Sequence, residues 1–124
     1  MRWYRKEAEM KVLFILNDAP YGLERNYNAL RLASSLAKKN VELKVFLFSD
    51  AVLCAKQGQS VPQGYYNIET MLKNLITHHT EIGLCSSCMN AHGMKDEEMM
   101  GGTKRSSMDE LSEWTIWADK VIAF

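Results

Sequence analysis

Apolar and polar positions fall into blocks along this chain, and the period changes from block to block. Lys11-Val-Leu-Phe-Ile-Leu-Asn17 is a short continuous apolar run that ends in polar turn residues. Such a run fits a strand covered on both faces, as in a parallel sheet. From Glu24 to Lys39 the apolar positions Ala29, Leu32, Ala33 and Leu36 keep helical spacing, and Lys38-Lys39-Asn40 supplies a basic last turn and a stop. Val41 to Phe48 begins by alternating and finishes as an apolar run, a second strand. Ser49 and Asp50 offer caps for a short helix through Lys56.

Gln57 to Gly64, with two glycines and a proline, is the longest irregular piece and a candidate lid. Asn67 can cap a helix running to about His78, whose buried stripe is Ile68, Met71, Leu72, Leu75 and Ile76. Glu81-Ile-Gly-Leu84 is a third strand, and Cys85 to His92 a short helix that Gly93 terminates. Glu98 to Thr103 adds a brief edge strand. Ser107-Met-Asp-Glu110 is a capping box opening a helix to about Ala118, and Lys120 to Phe124 is a last strand.

This alternation predicts an α/β fold: three layers, α/β/α, around a mainly parallel sheet of about five strands, flavodoxin-like, in a single domain. Residues 1–9 read as an N-terminal tail and residues 10–124 as the domain. Ligands of such sheets bind at the C-terminal ends of the strands. That rule gathers Asn17 to Gly22, Ser49 to Cys54, Cys85 to Cys88 and Lys104 to Ser107 on one rim.

Composition narrows the function classes. The chain has 124 residues, 47% of them apolar and 24% charged, with fifteen basic residues balancing fifteen acidic ones. A formal net charge of zero gives no global pull toward nucleic acid or an anionic membrane, so neither is expected as a partner. No apolar stretch approaches the ~20 residues of a bilayer span, and the first nine residues lack the apolar core of a secretory signal. Three cysteines are too few for a disulfide scaffold and fit a reducing compartment, with the cytoplasm as the expectation.

Candidate chemistry centres on Cys85-Ser-Ser-Cys88. Cys85 falls where a strand gives way to a helix, and backbone N–H groups there stabilise a thiolate. Cys88 lies one turn later and His92 another turn on; Cys54, from a neighbouring strand end, can approach them. Four readings stand side by side: a nucleophilic or persulfide-carrying thiol, a dithiol redox switch, a zinc site built from Cys54, Cys85, Cys88 and His92, and two small residues packing a helix. No second CxxC or HxxxH supports the metal reading, and neither a metal nor a cofactor is expected.

On the same rim Asn17, Asp18, Tyr21, Asp50, Cys54 and His92 are the candidate substrate contacts, while Gly22 reads as a turn residue because no phosphate-binding glycine pattern is present. Ser49 and Asp50 read as caps first, and His78 and His79 as residues at a helix C-terminal end. Lys104 and Arg105 read as a solvated turn that could also attract an anion. Trp114 and Trp117 give the last helix more aromatic surface than one small domain buries, which points to a partner.

Four segments also carry a family resemblance: Lys11 to Leu16, Phe48 to Gly58, Cys85 to Gly93, and Ser106 to Phe124. Over almost its whole length the sequence resembles the DsrE-like sulfur-relay superfamily, most closely its YchN-like branch. The resemblance implies a DsrE-like domain that assembles as a homo-oligomer, a trimer or hexamer. In sulfurtransferase members the sulfur-accepting cysteine stands eight residues before a glycine, a spacing that Cys85 and Gly93 keep. The resemblance therefore implies that Cys85 carries persulfide sulfur between donor and acceptor proteins, with Cys88 as a possible resolving thiol. Where the family commonly has arginine before that glycine, this chain has His92. The alternative expectation is a non-catalytic oligomer that binds a small molecule or metal at Cys85, Cys88 and His92.

Overall fold

The computed structural model describes residues 9–124; the expected tail, except Glu9, lies outside them. Five strands form one sheet: β1 (Lys11–Leu16), β2 (Glu42–Leu47), β3 (Glu81–Cys85), β4 (Thr103–Ser106) and β5 (Lys120–Ala123). Their order is β4-β3-β2-β1-β5 and every pairing is parallel. The helices are α1 (Arg25–Ala37), α2 (Ile68–Thr77), α3 (Ser86–Ala91) and α4 (Met108–Trp117), with a 3-10 helix at Ser49–Ala55.

The layers follow from this order. From β1 to β4 the chain steps across the sheet in one direction, so right-handed crossovers put α1, α2 and α3 on one face. From β4 to β5 it returns the whole way, which puts α4 on the other face. The core runs through the central strands, where Leu13, Phe14, Leu16, Val45, Phe46, Leu47, Ile82 and Leu84 are buried. Gly83 sits beneath α4, where an added Cβ would stand 3.1 Å from Ser106 Cβ and 3.2 Å from the Trp114 ring.

Several local expectations shift. The α1 stripe is Asn26, Ala29, Leu30 and Ala33, and Leu32 faces out. The fourth strand is Thr103–Ser106 rather than Glu98 to Thr103. Gly102 breaks the expected run: its φ is +91°, and Ile76 lies 2.8 Å from where a Cβ would be. Met100 is buried as a core plug instead of as a strand residue. The capping of α4 is one-sided. Ser107 Oγ accepts the Glu110 N–H at 3.2 Å, while the Glu110 carboxylate turns to Lys104 Nζ at 2.8 Å and to the Ser106 hydroxyl.

The expected lid is pinned at its start. Gln57 Nε2 donates to the carbonyls of Glu97 and Met99 at 3.0 and 2.8 Å. Gln59 Nε2 donates to those of Cys54 and Lys56, and Glu69 Oε1 accepts the N–H groups of Gly58 and Gln59. A buried carboxylate holding two backbone donors fixes that segment in place.

Candidate functional site

Strand β3 ends in Cys85, which is also the residue capping α3. Its side chain does what a serine or aspartate does at such a position: Sγ accepts the Cys88 N–H at 3.2 Å. The Ser87 hydroxyl lies 3.4 Å from the same sulfur. The Cys85 and Cys88 sulfurs are in bonding contact, with their Cα atoms 5.2 Å apart, a separation that suits a disulfide. Cys88 Sγ receives a further donor from across the rim, the Ser49 N–H at 3.2 Å.

Cys85 is only 8% exposed, yet it lines a cavity of about 330 Å³ on the α4 face of the sheet. Phe46 and Phe48 give this cavity apolar wall, and Ser86, Ser106 and Ser107 give it hydroxyls. Ser106 is there by register, because it pairs with Cys85 across β3 and β4. The cavity thus brings the Cys85 sulfur beside small polar groups.

His92 does not turn to the sulfurs. Its Nε2 pairs with Asp50 Oδ1 at 3.0 Å and so ties the end of α3 to the 3-10 helix. Asn17 Nδ2 donates to the Phe124 carbonyl at 2.9 Å. Asp18 holds Arg25 through both carboxylate oxygens, at 2.8 Å each, and that hydrogen-bonded guanidinium keeps its carboxyl below the usual range. Tyr21 Oη donates to Gln59 Oε1 at 2.6 Å and accepts the Ile68 N–H at 3.0 Å. Asn17, Asp18, Tyr21 and Asp50 share a separate cleft of about 190 Å³.

Cys54 is placed differently from the expected substrate contact. It is fully buried, 3.3 Å from Asn26 Nδ2, and burial pushes its thiol up to about 12. Among the described residues no group of three His, Cys, Asp or Glu side chains is placed to hold a metal ion, so Cys54, Cys85, Cys88 and His92 are not assembled as zinc ligands.

Two residues count for more than the sequence suggested. Arg105 is no solvated turn: Nη1 donates to Ser86 O, Ser86 Oγ and Asn90 Oδ1 at 3.2, 2.8 and 3.2 Å, and Nη2 pairs with Asp96. It therefore anchors the helix that Cys85 caps. Ser49, read as a cap, is the donor to Cys88. Arg105 lies in β4, opposite Leu84 of β3, a placement that sheet register supplies and local sequence does not.

A DsrE/DsrF-like family model matches residues 10–124. The chain belongs to the DsrE/DsrF-like family. It is 38% identical to protein YchN of Escherichia coli over 116 residues, which is 92% of this chain and 98% of YchN. An uncharacterised protein of Methanocaldococcus jannaschii is 35% identical over 93% of this chain and its own full length. The crystal structure of the Escherichia coli YchN protein superposes with a TM-score of 0.87, covering 93% of this chain and 99% of that one. A Methanobacterium thermoautotrophicum protein of unknown function shares the fold at 15% identity, with a TM-score of 0.76 over 94% of this chain and all of that one. The expected α/β sheet of this DsrE/DsrF-like chain is thus found in relatives that span nearly the same length.

Proposed function

We propose that this DsrE/DsrF-like chain handles sulfur at Cys85, accepting it as a persulfide and passing it on. The observation that carries the reading is a single sulfur with three features. Cys85 Sγ receives a backbone N–H, borders a cavity, and touches a second thiol positioned to react with it. An N–H directed at the sulfur favours the charged thiolate, which is the nucleophile.

In the forward step the Cys85 thiolate attacks the terminal sulfur of a donor persulfide. A Cys85 S–S bond forms, the donor's S–S bond breaks, and the donor leaves as a thiolate. An acceptor thiolate then attacks the terminal sulfur of Cys85-S-SH and restores the Cys85 thiolate. Without an acceptor, the Cys88 thiolate attacks the inner sulfur, giving the Cys85–Cys88 disulfide and releasing hydrosulfide. Donor and acceptor are sulfur-carrying proteins in this reading. A reducing compartment such as the cytoplasm suits it, because the disulfide must be reopened between cycles.

The reading also has the chain acting as a homo-oligomer, a trimer or hexamer. Supporting it are Ile116 at 86% exposed, Met108 and Val121, apolar side chains left bare on α4 and β5. Trp114 is not part of that surface, and Trp117 is half-buried. Trp114 is buried edge-on against Phe46, and Trp117 stands under Lys44 Nζ at 4.6 Å. Nucleic acid and membrane have no place in this reading, and among the described residues no helix is long and apolar enough to cross a bilayer.

The test is the pH dependence of alkylation at Cys85 in the Cys88→Ser variant, which keeps the N–H donor. A thiol titrating below the ordinary value of about 8.5 is expected; one at or above it contradicts the reading.

A further inference from the structure

A cavity of about 740 Å³ shares no lining residue with the Cys85 cavity. Four of the chain's five tyrosines line it: Tyr21, Tyr27, Tyr65 and Tyr66. Tyr66 is stacked between the other two packed rings, with centroids 4.4 Å from Tyr27 and 5.7 Å from Tyr21. Tyr65 is 70% exposed at the mouth. Packing does not call for so much aromatic surface at an open site.

The charged lining of this cavity has one sign. Glu24 is its single charged lining residue, and no Lys or Arg lines it. Among the described residues Glu24 makes no ion pair. The Tyr66 hydroxyl is shifted above its ordinary value, by burial first and then by the Glu24 carboxylate, with the Tyr21 and Tyr27 phenols adding to this only once they ionise. The stack already holds one cation at its edge, the Arg31 guanidinium, 5.5 Å from the Tyr27 centroid.

The walls are preformed. Tyr21 is fixed through its hydroxyl by Gln59 and the Ile68 N–H, and Gln59 is in turn fixed by two carbonyls. A ligand would not have to order this part of the site, which lowers the cost of binding. Volume, aromatic lining and a lone carboxylate together match a small-molecule site.

The geometry points to a binding site for an organic cation, of the alkylammonium class, between the tyrosine stack and Glu24. The exposed Tyr65 ring presents a π-face to the cation and its apolar substituents, while the Glu24 carboxylate supplies the charge selection. This inference is independent of the sulfur reading, because neither cysteine takes part.

The test compares choline with its uncharged analogue, in which carbon replaces the ammonium nitrogen, by ligand-observed NMR titration of the full chain. Choline is expected to bind at least about tenfold more tightly than the analogue. Glu24→Gln and Tyr65→Ala, both at exposed positions, are each expected to weaken choline about threefold or more. Equal binding of the two ligands, no choline binding at about 50 mM, or full choline affinity in both variants overturns the proposal.

Discussion

The Ser49 N–H points at Cys88 Sγ, 3.2 Å away, from a residue whose own φ is +51°. A non-glycine residue in the left-handed region costs roughly 1–2 kcal/mol, and here the conformation aims a donor at a sulfur. Both cysteines of the pair therefore receive a backbone N–H, Cys85 from Cys88 and Cys88 from Ser49. Ser49→Gly removes the strain and keeps the donor. It is expected to raise stability by about 1 kcal/mol in urea unfolding and to leave Cys88 alkylation rates unchanged. Ser49→Ala keeps strain and donor alike, and should change neither.

Arg105 is the strut of α3. Arg105→Gln loses the fork that spans Ser86, Asn90 and Asp96, and lysine cannot reproduce it. Amide hydrogen exchange across α3 should quicken in Arg105→Gln and recover only in part in Arg105→Lys. Cys85 alkylation should slow in the same order. Protection of α3 equal to the parent chain in both variants would show that the helix holds itself.

The α4 face carries a pH-dependent network. Lys44 holds the Glu81 carboxyl below its ordinary value, and Lys104, then Ser106, do the same for Glu110. A depressed carboxyl stabilises the fold above its unfolded value near 4.5, and that share is lost as pH falls through the lower folded value. Urea midpoints should therefore drop between neutral pH and acid below that range, and Glu110→Gln should flatten the drop. Lys104 is shifted up, so its contribution is present at neutral pH and lost only as pH rises past its raised folded value.

Cys54 makes a simple contrast. Fully buried and pushed up to about 12, it should resist alkylation in native protein at pH 8 and react at once in denaturant. Rapid native labelling mapped to Cys54 by peptide mass would mean that the Asn26–Cys54 layer opens readily.

Much of the fold could be read from period alone, because β1, β2 and the α2 stripe are unmixed signals. The fourth strand could not. Its residues Thr103-Lys-Arg-Ser106 are polar, as an edge strand over a charged network permits, while the apolar Met99-Met100 pair beside it drew the expectation away. The cysteine segment was legible because a strand-to-helix turn at Cys85 follows from local spacing. What surrounds it was not, since Ser49, Ser106 and Arg105 reach it through sheet register and a strained turn. Four tyrosines scattered from position 21 to 66 carry no shared local pattern, and only the folded chain brings them to one cavity.

The most direct measurement of the central claim is intact and peptide mass analysis after reduced protein meets a low-molecular-weight persulfide donor. The Cys88→Ser variant, which cannot resolve the product, should gain the mass of one sulfur atom on the Cys85 peptide, and Cys85→Ser should gain none. Sulfur found on Cys88 in Cys85→Ser, or no gain at Cys85 in either form of the chain that retains it, would contradict the account.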